Sequence, residues 1–258
     1  MDHNDLNGVH LMKLTANTIF IPGATSGIGL GLALRFHRAG NTVIIGGRRQ
    51  ALLEQIAREN PGIHTVVIDT ADASSITSTA ADVQKRFPQT NVVITVAGIM
   101  LPENLNTADF LATAESTVHT NLLGPIRLIA AFTEFLAGQD EATIMTVSSG
   151  LAFVPLPFTP TYSATKAAIH SFTQSLRVQL AATSIQVIEL VPPAVQTALM
   201  GQEESANAMP LNDFLTEVMA ILEAQPEADE ILVENVNFLR FAEARGSHDE
   251  VLSLLSGH

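Results

Sequence analysis

A chain of 258 residues, 47% hydrophobic and only 15% charged, has room for one α/β domain or two small ones and enough apolar content to fill a core rather than stay disordered. Its formal charge of −13 repels phosphate backbones and anionic membrane surfaces, which excludes general nucleic-acid binding and membrane attachment as expectations. It has no cysteine, so disulfides and thiolate metal sites are ruled out, and no apolar stretch nears the roughly 20 residues that span a bilayer.

Residues 1–11 are polar and lack the basic start and apolar block of a secretory signal. They precede Met12-Lys13-Leu14, which itself looks like a natural start. They are expected to form a flexible extension to one cytoplasmic domain spanning residues 12–258. Six short β-branched runs follow, at residues 18–21, 42–45, 65–68, 92–96, 144–147 and 186–191, and read as buried parallel strands. Helical stretches at 28–39, 50–59, 74–87, 115–136 and 162–180 lie between them. This alternation predicts an α/β fold: a doubly wound parallel sheet of six to seven strands with helices on both faces. Residues 201–230 are rich in Glu, Ala and Met, with helical spacing at 214–222 and acids expected on a solvated face. Residues 230–244 also read as helix. The eight histidines show no ligand spacing, so no metal centre is expected.

The first strand runs into Pro22-Gly23-Ala24-Thr25-Ser26-Gly27-Ile28-Gly29. Glycines there let the backbone turn tightly and approach a pyrophosphate, and the helix that follows offers its free N–H groups to the phosphates. A glycine cluster alone is a weak signal; its place between first strand and first helix makes it a dinucleotide-loop candidate. The second strand ends at Gly46-Gly47-Arg48-Arg49, with no acid to bind a free ribose 2′-hydroxyl and two arginines suited to a 2′-phosphate. That favours NADP over NAD; the alternative is that both arginines merely cap a loop.

Tyr162-Ser163-Ala164-Thr165-Lys166 opens a helix, and its spacing puts Tyr162 and Lys166 on one face. An ammonium beside a phenol favours the phenolate, which brings tyrosine towards useful acid–base chemistry near neutral pH. Tyr162 is the chain's single tyrosine. It is expected to titrate well below a free phenol once NADP is bound. Ser149 ends the fifth strand, where ligands of such sheets gather.

In this order the motifs resemble the short-chain dehydrogenase/reductase family, over residues 14–195. The residues carrying the resemblance are Gly23-x3-Gly27-Ile28-Gly29, Ala97-Gly98, Asn121, Ser149 at the family's spacing from Tyr162, and Tyr162-x3-Lys166. The resemblance implies an NADP(H)-dependent oxidoreductase that interconverts a carbonyl and an alcohol. Tyr162 would be the general acid/base, Lys166 would lower its pKa and bind ribose, Ser149 would hold the substrate oxygen, and Asn121 would hold a water. Thr25, Ser26 and the loop glycines would contact phosphates; Asp69 and Thr70 would lie against the adenosine; Pro192, Val195 and Thr197 would line the nicotinamide side.

Four places depart from the family pattern: Pro22 for threonine, Thr95-Val96 for Asn-Asn, Pro193 for glycine, and no final strand ending in Asp-Gly-Gly. The first two put the rigidity of the cofactor loop in doubt. Two rivals remain: a nucleotide-binding sensor or scaffold that keeps the fold without catalysis, and a sugar-nucleotide epimerase, which shares Tyr-x3-Lys. The substrate is a small molecule of unread identity. Phe153, Val154, Leu156, Pro157 and Phe158, with Met100, Leu199 and Met200 opposite, line its pocket or belong to the core. Phe132, Leu176 and Leu180 are expected to form an apolar seam in a homodimer or homotetramer.

Overall fold

The structure is a computed structural model that describes residues 11–257. Seven parallel strands are ordered β3-β2-β1-β4-β5-β6-β7: β1 Thr18–Pro22, β2 Thr42–Gly47, β3 Ile63–Val67, β4 Thr90–Thr95, β5 Ala142–Val147, β6 Ile185–Leu190 and β7 Glu230–Ile231. The chain starts at the centre of the sheet, winds to one edge through β2 and β3, then crosses back to build the other half. The doubly wound sheet predicted from the alternating pattern is the fold observed. The extension assigned to residues 1–11 lies outside the described residues up to position 10. Met12 is buried, its N–H donating to Gln186 Oε1 at 2.7 Å.

The central strands are apolar on both faces, and each face feeds a separate core. Ile19 and Ile21 of β1, Val43 and Ile45 of β2, and Val92 and Ile94 of β4 point to one side, against α1 (Gly27–Arg38), α2 (Gln50–Glu59) and α7 (Leu211–Ala224). Phe20, Ile44 and Val93, the intervening residues, point to the other side, against α3 (Ala73–Arg86), α5 (Gly124–Ala137) and α6 (Pro160–Leu180). Phe132 is fully buried in this second core, with Leu176 and Leu180 packed against it. Phe132 therefore takes no part in an exposed seam, and Leu176 and Leu180 are half-buried with their packed side towards the sheet.

Two stretches differ from expectation. The helix expected over 115–136 is α4 (Phe110–Val118) joined to α5 through a π-helical turn at His119–Leu123. A wider turn of this kind rotates the following residues and is frequent at functional sites; Asn121 sits within it. The second is 230–244. Glu230 and Ile231 pair with Glu189 and Leu190 as a seventh strand, followed by a tight turn at Glu234–Val236 and the short α8 (Asn237–Arg240). Ile231 and Val233 are fully buried, so pairing beside β6 overrides the helical tendency of the Glu- and Ala-containing segment. The last helix, α9, spans His248–Leu255. Among the described residues no helix is long and apolar enough to cross a membrane.

Candidate active site

The candidate residues gather at the carboxyl ends of the central strands. Gly23 follows β1 with φ +88°, and its N–H, with that of Ala24, donates to Gly46 O at 2.8 and 3.2 Å. This anchoring holds the turn even though Pro22 contributes no N–H. A Cβ on Gly23 would lie 2.5 Å from Ala97 Cα, so the loop packs directly on the chain leaving β4. A Cβ on Gly29 would lie 2.7 Å from Gly23 O and 3.0 Å from Val96 Cγ1; the apolar Val96 fills the space beneath the turn.

Ser26 precedes α1 with no side-chain cap, and the first turn carries no acid. The opening N–H groups of α1, from Gly27 through Gly29, thus have no partner within the helix and lie at the positive end of its dipole. Thr197 approaches from the far side: a Cβ on Gly27 would meet its Cγ2 at 3.4 Å. Val195 is buried and bridged to Met209, and Pro192 O accepts from Gly150 N at 2.9 Å. Both therefore support the wall that ends in Thr197.

Arg48 and Arg49 emerge exposed beyond β2. Arg49 Nη2 lies 3.4 Å from Thr25 Oγ1, and among the described residues neither arginine has an ion-pair partner. Asp69 is half-buried after β3 and accepts from Ala71 N at 3.0 Å. Thr70 is buried, its carbonyl packed so close to Gly124 that a Cβ there would lie 2.6 Å away.

Ser149, Tyr162 and Lys166 converge at the end of β5. Ser149 Oγ accepts from Leu151 N at 3.1 Å and hydrogen-bonds the Tyr162 hydroxyl. Lys166, one turn along α6, donates from Nζ to Val147 O at 2.8 Å, with Nζ 5.6 Å from the centre of the Tyr162 ring. Asn121 is committed to Ile99, accepting its N–H at 2.8 Å and donating to its carbonyl at 2.7 Å. Its side chain thus pins the segment after Gly98, and both its polar atoms are already engaged.

Burial dominates the electrostatics. It pushes the Tyr162 phenol up to about 12, against the opposing hydrogen bond from Ser149. It pushes Lys166 down to about 8, against the attraction of Glu189. Without cofactor, then, Lys166 does not lower Tyr162, contrary to the expectation from their spacing alone. The consequence for stability has a definite sign. Between about 8 and the ordinary lysine value of 10.5 the unfolded chain holds a proton that folded Lys166 has lost, so stability should rise with pH. From the ordinary tyrosine value of 10.0 to about 12 the folded chain keeps the proton that the unfolded chain releases, so stability should fall. Thermal melts of the cofactor-free protein across this range should show the rise, and Lys166→Met should remove it. A wild-type midpoint that falls steadily from pH 8 would contradict the assignment.

Behind this site lies a polar group that no local motif marks. Glu189 on β6 is fully buried and accepts from His170 Nδ1 at 2.9 Å; Glu230 on β7 pairs with both Nε and Nη2 of Arg240 at 2.8 and 3.0 Å. An acid within the otherwise apolar run 187–191 was the available signal. His170, Glu189 and Glu230 lie within 4.8 Å of one another, close enough to hold a metal ion. The guanidinium on both oxygens of Glu230, however, fills that role of countercharge. The apolar residues near Ser149 also divide: Val154 and Met100 are core, Phe153 packs beneath Arg240, and Phe158 and Leu199 are exposed.

The sequence matches the short chain dehydrogenase family over residues 17–208. It is 38% identical over 250 residues to an uncharacterized oxidoreductase, DltE, of Bacillus subtilis (strain 168), covering 95% of this chain and 98% of that one. It is 30% identical over 187 residues to sulfoacetaldehyde reductase 2 of Chromohalobacter salexigens, covering 70% and 74%. A short chain dehydrogenase from Burkholderia cenocepacia J2315, solved in complex with NADP, shares the fold with a TM-score of 0.80 at 24% identity, covering 95% and 99% of the two chains. With its glycine turn, its Tyr-x3-Lys helix and a family match across most of its length, the chain belongs to the short-chain dehydrogenase family of oxidoreductases.

Proposed function

We propose that this protein is an NADP(H)-dependent oxidoreductase that interconverts a carbonyl and an alcohol, with Tyr162 as general acid/base. The observation that carries the proposal is the convergence of Ser149, Tyr162 and Lys166 beside the glycine turn. The residues fit the cofactor. The turn presents an uncapped helix N-terminus suited to a pyrophosphate, and two arginines without ion-pair partners stand where a 2′-phosphate would lie.

NADPH, when bound, supplies the hydride for the carbonyl carbon. The chain's own residues handle the oxygen. Ser149 Oγ already accepts from Leu151 N, so its one hydrogen can turn from Tyr162 to a substrate oxygen. Tyr162 Oη passes its proton to that oxygen in reduction and takes it back in oxidation. Lys166 makes the phenolate left behind less costly by lying behind it as a cation. Asn121, through its two bonds to Ile99, fixes the segment that faces this site. The substrate is proposed to enter past Leu156, Pro157, Phe158 and Leu199, an apolar mouth that suits a substrate with an apolar portion. NADPH oxidation across a panel of aldehydes and ketones tests the activity; no oxidation with any member would count against it.

NADPH should bind more tightly than NADH, and Arg48→Ala should weaken NADPH at least tenfold while leaving NADH nearly unchanged. Titrating both cofactors into both proteins checks this, and equal affinities in the wild type would refute it. We further propose a single domain over residues 12–258, a cytoplasmic location, and assembly as a homodimer or homotetramer. Exposed Leu111 on α4 and Val178 on α6 support assembly, beside the half-buried Leu176 and Leu180. Light scattering that gives one 27.5 kDa species at micromolar concentration would rule assembly out.

A further inference from the structure

Among the described residues only two charged side chains are buried, and they have opposite sign: Lys166, 5% exposed, and Glu189, 0% exposed. They stand on adjoining elements, since α6 packs over β6. Thr146, Glu189 and Glu230 are register partners on β5, β6 and β7, so their side chains rise from one face of the sheet. Lys166 Nζ is bound to Val147 O, the residue after Thr146. His170, one turn beyond Lys166 on the same face of α6, bonds both carboxylate oxygens of Glu189 through Nδ1, at 3.0 and 2.9 Å. Its Nε2 meets the Gln174 amide at 3.2 Å, an arrangement in which Gln174 donates and Nδ1 carries the hydrogen towards Glu189.

We propose that Glu189 is a positioning residue for the proton-transfer site: a buried countercharge, clamped by His170, that supports the Lys166 ammonium from the side of the sheet. Its role in turnover rests on the oxidoreductase reading above; the charge coupling does not.

The need for such a group follows from where Lys166 sits. Removing an ammonium from water is costly, and among the described residues Lys166 has only a backbone carbonyl as its hydrogen-bond partner. Burial brings it down to about 8, and Glu189 is the charge that opposes the fall. Without Glu189 the lysine would lose its proton at still lower pH and stabilise a Tyr162 phenolate less well. The rest of the cluster keeps Glu189 available for this task. Glu230 beside it is matched by Arg240 from α8, and Asp229 by Arg177, whose Nε lies 3.0 Å from the Asp229 carboxylate. Phe153 meets His170 edge-on with ring centres 4.7 Å apart and lies under Arg240, which closes the cluster from above. Three cations, Lys166, Arg240 and Arg177, thus face three carboxylates, Glu189, Glu230 and Asp229.

The chain has only three lysines, at positions 13, 85 and 166, so the ε-carbon signals of carbon-13-labelled lysine can follow Lys166 directly. The signal is assigned by its loss in Lys166→Met. In Glu189→Gln the Lys166 midpoint should fall by about one pH unit or more, while Lys13 and Lys85 stay put. Glu189→Asp, which draws the charge back by one carbon–carbon bond, should lower it by a smaller amount. If the Gln variant does not fold, this graded variant carries the test. The alkaline fall in carbonyl reduction should move to lower pH in step with the midpoint. An unchanged Lys166 midpoint in the folded variants overturns the proposal, even in an enzyme that reduces carbonyls. A shifted midpoint in a protein that never oxidises NADPH supports the coupling and refutes the oxidoreductase reading alone.

Discussion

Tyr162→Phe should lower carbonyl reduction by about 10²- to 10⁴-fold, the usual contribution of a positioned general acid, and leave NADPH affinity within a few-fold of wild type. The substitution removes one oxygen from a side chain that is otherwise held by its ring. Its hydroxyl is bonded to Ser149, whose Oγ keeps its bond from Leu151 N. Packing is preserved, and the proton that must reach the substrate oxygen is lost. Single-turnover NADPH oxidation under saturating cofactor reads this step. The outcome also decides between an oxidoreductase and a sensor or scaffold. A sensor or scaffold would bind cofactor as before and show no turnover to lose; an enzyme would lose turnover and keep binding. A Phe variant as active as wild type would place the proton donor elsewhere.

Gly23→Ala should damage the cofactor turn severely. Its φ of +88° strains any residue with a side chain, by about 1–3 kcal/mol. The added methyl would also lie 2.5 Å from a backbone atom, Ala97 Cα, which cannot swing aside as the end of a side chain can. Gly40 provides the control, since it has φ +89° with nothing within 4 Å of its would-be Cβ. Gly40→Ala should show the conformational strain alone. Gly23→Ala should lower the melting midpoint further, by several degrees, and weaken NADPH at least tenfold. Equal melting midpoints for the two variants would mean that the turn does not depend on its contact with Ala97. Differential scanning calorimetry and cofactor titration measure both quantities.

The sheet was legible because its strands are β-branched runs separated by helical spacing, and the order of such elements leaves few ways to wind a parallel sheet. The glycine turn and the Tyr162–Lys166 pair were legible because each is local: a few neighbouring residues set the geometry. What was not legible depends on contacts across the chain. Residues 230–231 become a strand because β6 offers them an edge, which the composition of 230–244 does not reveal. The π-helical turn that carries Asn121 leaves no mark in the apolar pattern of 115–136. Phe132, Leu176 and Leu180 form a plausible stripe in sequence, yet its packed side faces the sheet. The cluster of His170, Glu189, Glu230 and Arg240 joins four elements and has no local spacing at all, although a glutamate inside a buried strand was a clue. The ionisation of Tyr162 escaped for a similar reason. Helical spacing puts Lys166 near it, but the degree of burial decides which effect wins.

The central claim is that cofactor binding turns a deeply buried, reluctant phenol into an acid–base group through Lys166. One tyrosine and no tryptophan make it directly observable, since the phenolate absorbance change reports Tyr162 alone. Spectra are recorded against pH without cofactor, with saturating NADP⁺ after subtraction of its own absorbance, and again in Lys166→Met. The account predicts a midpoint near 12 in the free protein, as burial dictates. With NADP⁺ it predicts a midpoint lower by about two units or more, because the positive nicotinamide ring favours the phenolate and the coupled Tyr162–Lys166 pair then releases the phenol proton while the ammonium keeps its own. In Lys166→Met with NADP⁺ most of that fall should be lost. A midpoint that NADP⁺ leaves unmoved, or that falls as far without Lys166, would contradict the account.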